Sequence, residues 1–219
     1  MVRRIPKVAR QFLAKLAADN YHLKTGFLGT PWLLPALTSI NRSDLAMRLL
    51  LNEDYPSWGF EIKMGATTMW ERWNSIHANG EFGPVEMNSF NHYAYGAVAD
   101  WMFAHLGGIQ ILEPGYKKSR IAPLVKESGL DHADCSIHTP YGQLACHWMI
   151  ADNTLSLTAI IPPNTTADIV IPTSSTGSVL EGGEPISSSN GIIEAKASDK
   201  ELTVTVGSGS YKFSAPIAP

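Results

Sequence analysis

The sequence predicts an α+β protein in two parts, a helical part with long irregular loops followed by an antiparallel β-sandwich. Three observations carry this. Composition changes near residue 118: residues 1–118 hold 12 Lys and Arg against 10 Asp and Glu and five of the six tryptophans, whereas residues 119–219 hold 5 against 10 and only Trp148. Before that point apolar residues recur at helical spacing. After it they alternate with polar ones in short runs rich in Val, Ile, Thr and Leu, separated by turn residues. A chain of 219 residues accommodates two domains that each bury a core, placed by this change at 1–118 and 119–219.

The first element expected is an amphipathic helix in the opening segment, with Ile5, Val8, Phe12, Leu13 and Leu16 on one face. Lys7, Arg10 and Lys15 interrupt it, so it lacks the continuous apolar region of a signal peptide. The Gly-rich TGFLGTP, residues 25–31, leads to Pro31, which suits the first turn of a helix through WLLPALTSI. Asn41-Arg-Ser-Asp supplies cap chemistry before LAMRLLLNED, a short helix ending near Tyr55-Pro56. A third helix is expected from about Asn88 to Leu106, stopped by Gly107-Gly108. Its apolar stripe is Phe90, Tyr93, Ala94, Ala97, Val98, Trp101 and Met102, with Asn88, His92 and Ala99 on the opposite face.

Beyond it, CSIHTPYGQLACHWMIADNTLSLTAIIPPNTTADIVIPTSS alternates between strand-like runs and the turn signals PYG, ADN and PPN. SGSVLEGGEPI, GIIEAKAS and KELTVTVGSGSYKFSAP extend the pattern, so that six to eight strands at this spacing imply a sandwich.

Bulk properties exclude several functions. Apolar residues make up 44% and charged residues 17%, a globular composition and not a disordered one. A net charge of -3 argues against nucleic acid, whose phosphates call for concentrated Lys and Arg. No apolar run approaches the ~18 residues of a membrane span. Two cysteines, Cys135 and Cys146, are too few for a disulfide framework and read as free buried thiols. Localisation stays open between cytoplasmic and secreted as part of a longer parent.

The densest chemistry lies in GATTMWERWNSIHANGEFGPVEMNSFNHY, residues 65–93. Trp58, Trp70, Trp73, Tyr93, Asn74, Asn91 and His92 fall within 36 residues, alongside Glu71. Indoles stack on the C–H faces of sugar rings while amides, carboxylates and imidazoles meet their hydroxyls, so this set suits a carbohydrate site. Each member also has a plainer reading: Glu71 as a surface or salt-bridged residue, Trp70 and Trp73 as a core pair on one helical turn, His92 as a structural histidine. Gly26 and Gly29 mark turns, their spacing matching no phosphate-binding loop.

The segments TGFLGTPWLLPAL, YPSWGFEIKMGATTMWERWNS, MNSFNHYAYGAVADWMF and GIQILEPGYKKSRIAP, then TPYGQLACHW and IIPPNTTADIVIP, resemble the C-terminal end of α-L-rhamnosidases of glycoside hydrolase family 78. The resemblance covers nearly the whole chain, with several spaced motifs in the family's order. It implies that the first part belongs to an (α/α)6 six-hairpin barrel, that the sandwich follows it, and that hydrolysis inverts the anomeric centre with no metal or organic cofactor. It implies Glu71 as the general base, His92 in the rhamnose pocket beside Asn91, and Trp70 and Trp58 as its aromatic wall. Met64 or Phe27 would meet the methyl group of the 6-deoxy sugar, and Arg72 would help keep Glu71 charged, provided its side chain turns toward it.

In the family the general acid sits far upstream, and no matching segment is found here. Asp54, Glu61, Glu81 and Glu86 are available, but none matches the acid motif; Glu81 and Glu86 read as parts of a solvated loop. The chain opens with what resembles a late barrel helix, so its barrel is expected to be partial. Two readings follow. In one, the chain carries the general-base half of an inverting site for a rhamnose-containing glycoside, is inactive alone, and has the missing N-terminal half as partner. In the other, it is a non-catalytic protein, either a relic or a sugar-binding or interaction module, that forms a homo-oligomer through exposed helix faces.

Overall fold

The computed structural model describes residues 5–217. The basic start of the chain and the side chain of Ile5 lie outside the described residues. The backbone divides into two compact units between Trp101 and Met102. Composition changes at 118, but Ile109–Ile111 already pairs with Lys118–Ile121, so both segments belong to the second unit.

The first unit consists of short helices and long loops. Helix α1 (Ile5–Ala18) buries Leu16 and half-buries Phe12 and Leu13, leaving Val8 exposed. Helix α2 (Thr30–Ser39) begins where the sequence places it, with Pro31 in its first turn, where a missing N–H costs nothing. Ahead of it Gly26 accepts hydrogen bonds from the backbone N–H (3.0 Å) and hydroxyl (2.9 Å) of Thr30. Helix α3 (Ser43–Leu50) ends short of Tyr55 and has Arg42 as its N-cap with no side-chain cap bond. Asp44 stands in its first turn instead, taking two hydrogen bonds from the Arg42 guanidinium at 2.8 and 2.7 Å.

Two local features depart from the sequence expectation. A helix α4 (Trp58–Lys63) forms where none is expected, capped by Ser57, whose hydroxyl accepts from the Phe60 N–H at 2.9 Å. The helix expected from Asn88 is absent before Ala94: a 3₁₀ turn covers Ala94–Ala97, then α5 (Val98–Trp101), and in the second unit a π-helical turn, Met102–Leu106. Residues 88–93 are irregular because their backbone groups bond to another loop, described below. The helical stop is where glycine predicts it. Gly108 adopts φ +75°, and a Cβ there would lie 2.4 Å from the Pro123 nitrogen.

The second unit is a sandwich of 11 described strands, more than the six to eight expected because several are very short. They are β1 (Ile109–Ile111), β2 (Lys118–Ile121), β3 (His132–Thr139), β4 (Gly142–Ala151), β5 (Thr154–Ile161), β6 (Thr166–Pro172), β7 (Leu180–Glu181), β8 (Glu184–Pro185), β9 (Ile192–Ala197), β10 (Glu201–Val206) and β11 (Gly209–Pro216). One sheet runs β1-β2-β6-β10-β9 and the other β3-β4-β5-β11-β7-β8. Pairing is antiparallel except for β2 with β6, which is parallel because strands of the other sheet intervene between them in the chain. Alternation works as read: in β10 Leu202, Val204 and Val206 point inward, meeting Leu144, Trp148, Leu155 and Leu157 from the facing sheet. Cys135 and Cys146 are free and buried, directly opposite each other on β3 and β4. Burial raises both thiols above the ordinary value.

Candidate functional site in the first unit

Between α4 and α5 the chain makes two loops, Ala66–Arg72 and Asn88–Tyr93, that hold each other through backbone and short polar side chains. The Glu71 N–H donates to the Ser89 carbonyl at 2.9 Å, and the Ser89 N–H donates back to Glu71 Oε2 at 2.7 Å. Two positions along, the His92 N–H donates to the Met69 carbonyl at 2.9 Å. The Thr68 hydroxyl donates to the Phe90 carbonyl. These bonds use the groups that a helix through residues 88–93 would have needed for itself, which is why that helix starts late.

Glu71 is therefore placed by the fold. It is buried, 9% exposed, with one carboxylate oxygen fixed by a backbone N–H. A charge-assisted bond of this kind orients a carboxylate as well as stabilising it. Its hydrogen-bond partner is the backbone of Ser89; the Arg72 backbone N–H lies 3.3 Å from the Ser75 hydroxyl.

His92 is half-buried, its ring stacked between Phe27 (centroids 4.9 Å apart) and Tyr93 (5.3 Å). The Ala94 N–H donates to His92 Nδ1 at 3.2 Å. A neutral imidazole with Nδ1 accepting carries its proton on Nε2, which makes Nε2–H a donor. Asn91 is exposed and places its N–H 3.2 Å from the Ser89 hydroxyl.

Trp58, Trp70 and Trp73 are interior. Trp70 packs edge-on against Phe90 at 5.6 Å. Trp58 packs edge-on against Trp73 at 5.3 Å, and Trp73 stacks on Tyr95 at 3.8 Å. The Trp58 indole N–H donates to the Tyr95 carbonyl at 3.1 Å, and that of Trp73 to the Thr25 carbonyl at 2.9 Å. Trp70 and Trp73 thus lie in irregular chain, not on a helical turn, and each has a different aromatic partner. Phe27, beside His92, is 39% exposed.

Among the candidate acids, Asp54, Glu81 and Glu86 are exposed, and Glu81 accepts from the Asn79 amide at 2.9 Å. Glu61 is different. It is 3% exposed, its Oε1 has no hydrogen-bond partner, and burial pushes its carboxyl up to about 8 against the opposing pull of the Trp70 backbone N–H. Nothing in residue spacing marks Glu61 as buried; the only clue is the Ser57 cap, which starts a helix at Trp58 and turns position 61 inward. Ser89 is equally silent in sequence, since its role is played by backbone. Among the described residues no three His, Cys, Asp or Glu side chains converge in a metal-binding group, and no helix is long and apolar enough to cross a membrane.

Comparison with known proteins places these features in context. The bacterial α-L-rhamnosidase six-hairpin glycosidase domain matches residues 2–106, and the bacterial α-L-rhamnosidase C-terminal domain matches residues 108–184. An α-L-rhamnosidase of Formosa agariphila is 43% identical over 206 residues, covering 94% of this chain and 22% of that protein. One of Streptomyces avermitilis is 40% identical, covering 94% and 19%. Its crystal structure, complexed with L-rhamnose, superposes with a TM-score of 0.85 over 93% of this chain and 19% of that one. The Aspergillus terreus enzyme superposes with a TM-score of 0.78 at 31% identity, covering 95% and 21%. The chain thus spans about a fifth of the length of these relatives.

Proposed function

Since the chain belongs to the bacterial α-L-rhamnosidase family, we propose that it carries the general-base portion of an inverting site for terminal α-L-rhamnose. Glu71 is the base. An inverting glycosidase sets its base about 6.5–9.5 Å from the general acid, leaving room for the attacking water. The base takes one proton from that water as its oxygen attacks the anomeric carbon, while the acid protonates the departing glycosidic oxygen. The observation that carries this reading is the reciprocal pair with Ser89, which leaves one oxygen of a buried carboxylate for the water while the other is held.

His92 Nε2–H donates to a sugar hydroxyl, and Asn91 reaches the same ring. Trp70 and Trp58 form the wall behind the pocket, fixing loop 66–72 from the interior side. The general acid lies outside these 219 residues, so the partner for activity is the polypeptide that carries the rest of the barrel.

The test is hydrolysis of an aryl α-L-rhamnoside by the purified chain, alone and with the remaining barrel segment supplied in trans, each with a Glu71→Gln counterpart. No turnover is expected from the chain alone. The complemented enzyme should turn over and lose about 10²–10⁴-fold in kcat with Glu71→Gln. Turnover by the isolated chain that Glu71→Gln abolishes would place an acid inside it; undiminished turnover by the complemented variant would remove Glu71 from the role of base.

A second reading, a non-catalytic module that self-associates, is favoured by one observation. Leu28, Trp32, Val85 and Tyr93 are 91%, 73%, 86% and 87% exposed, and all stand on the first unit. Apolar area of this kind is normally covered. Sedimentation of the isolated chain is expected to show self-association that the added barrel segment competes away. A monomer at all concentrations would count against any such covered face.

A further inference from the structure

We propose that the free edge of β3 docks an extended peptide of another polypeptide, which joins the sheet as an antiparallel strand and sets an apolar, a basic and a second apolar residue opposite Cys135, Asp134 and Ala133. Strand β3 ends its sheet. The Ile150 N–H donates to the Asp131 carbonyl at 2.7 Å, and hydrogen-bonded pairs alternate along an antiparallel ladder. Ala133 and Cys135 therefore direct their main-chain groups to Trp148 and Cys146 on β4, while those of Asp134 and Ser136 point off the edge. Among the described residues, neither makes a main-chain bond to any other segment.

The other sheet edges are guarded. Strands β1 and β8 are three and two residues long, and β9 carries Glu194 and Lys196 and meets β10 with a register shift at Thr205/Val206. Strand β3 runs for eight residues in regular register, without proline or lysine. An edge of that kind is a template for a further strand.

A groove lies beside it on the core face. A Cβ at Gly107 would stand 2.4 Å from the Cys135 sulfur, so the π-helical turn Met102–Leu106 ends directly against β3. Between them is a cavity of about 450 Å³ lined by Met102, Phe103, Leu106 and Leu130 together with Ala133 and Cys135, all within the second unit. Met102 and Phe103 are exposed. Residues of an added strand opposite Ala133 and Cys135 share their face and enter this groove, which selects apolar side chains. The residue between them shares the outer face with Asp134, whose Oδ1 is held 2.7 Å from His147 Nδ1. Residues 127–139 contain Glu127, Asp131 and Asp134 and neither Lys nor Arg, so that position selects a basic side chain.

The experiment titrates the purified chain with a blocked nonapeptide of alternating threonine and valine that has one central arginine between two valines, and with its glutamate counterpart. Amide N–H resonances of Asp134 and Ser136 are expected to move downfield with the arginine peptide, and the glutamate peptide should bind about 2- to 30-fold more weakly. Asp134→Lys should reverse that order. Ser136→Pro removes an outward donor and no ladder bond, and should abolish binding of both peptides while the Trp148 indole resonance stays in place. If proline disrupts the sandwich, the Asp134→Lys reversal decides alone. Equal affinities for the two peptides, or no shift at millimolar peptide, would overturn the proposal. So would Asp134 and Ser136 resonances that move on dilution without peptide, which assign the edge to a second copy, or that are shielded by the added barrel segment, which assign it to the rest of the enzyme. Self-association through the first unit leaves these two amides unmoved, and no outcome depends on Glu71.

Discussion

Replacing Glu61 by Gln is expected to remove a loss of stability on the order of 4 kcal/mol that the wild-type first unit suffers between pH 5 and 8. The sign follows from proton binding. In the unfolded chain the carboxyl titrates at its ordinary value of 4.5, and in the folded unit burial raises it to about 8. Between those values the folded state holds one proton more than the unfolded state. Stability therefore falls as pH rises, by about 1.4 kcal/mol per unit, and levels off above the folded value. Gln carries no proton to lose. Urea unfolding followed by the tryptophans of the first unit, at pH 5, 6.5 and 8, gives the comparison. Parallel curves for wild type and variant would mean that Glu61 reaches water in the folded state and carries no burial penalty.

Trp148→Ala is expected to destabilise the second unit by about 4 kcal/mol, within the usual range for a large aromatic removed from a core. Trp148 is 2% exposed on β4, at the centre of the cluster that joins the two sheets. Its indole N–H also donates to the Leu106 carbonyl at 2.8 Å, the last residue of the π-helical turn that leads into β1. Truncation thus leaves a cavity and an unpaired carbonyl together. Trp148→Phe separates the two: it keeps most of the volume, loses the donor, and should cost about 1–3 kcal/mol. Thermal unfolding read by far-UV dichroism in the strand region distinguishes them. Equal losses for Phe and Ala would assign the effect to the hydrogen bond and not to packing.

Several features of this protein follow from sequence order alone because their causes are local. The start of α2 is set by Pro31, whose fixed φ suits a first turn. The stop after Leu106 is set by Gly108, the residue that tolerates φ +75° against Pro123. The strands of the sandwich follow from alternation, since a period of two sends Leu202, Val204 and Val206 to one face whatever they later meet. The spaced motifs around Glu71 and His92 likewise carry the family in the chain itself.

Tertiary structure decided what depends on distant partners. The helical period from Asn88 to Leu106 is real, but its first turn is lost because the Ser89 and His92 N–H groups and the Ser89 and Phe90 carbonyls bond to loop 66–72, 18 or more residues away. Long-range bonds that also hold a buried carboxylate outweigh a local propensity worth tenths of a kcal/mol per residue. Trp70 and Trp73 look like a helical pair and instead take separate aromatic partners, Phe90 and Tyr95. Glu61 reads as one acid among several, and only the helix that Ser57 starts turns it away from water. Sequence specifies which residue types are present and how the backbone begins and ends its elements. Burial and pairing across the chain, which set protonation and geometry, exist only once those elements are packed.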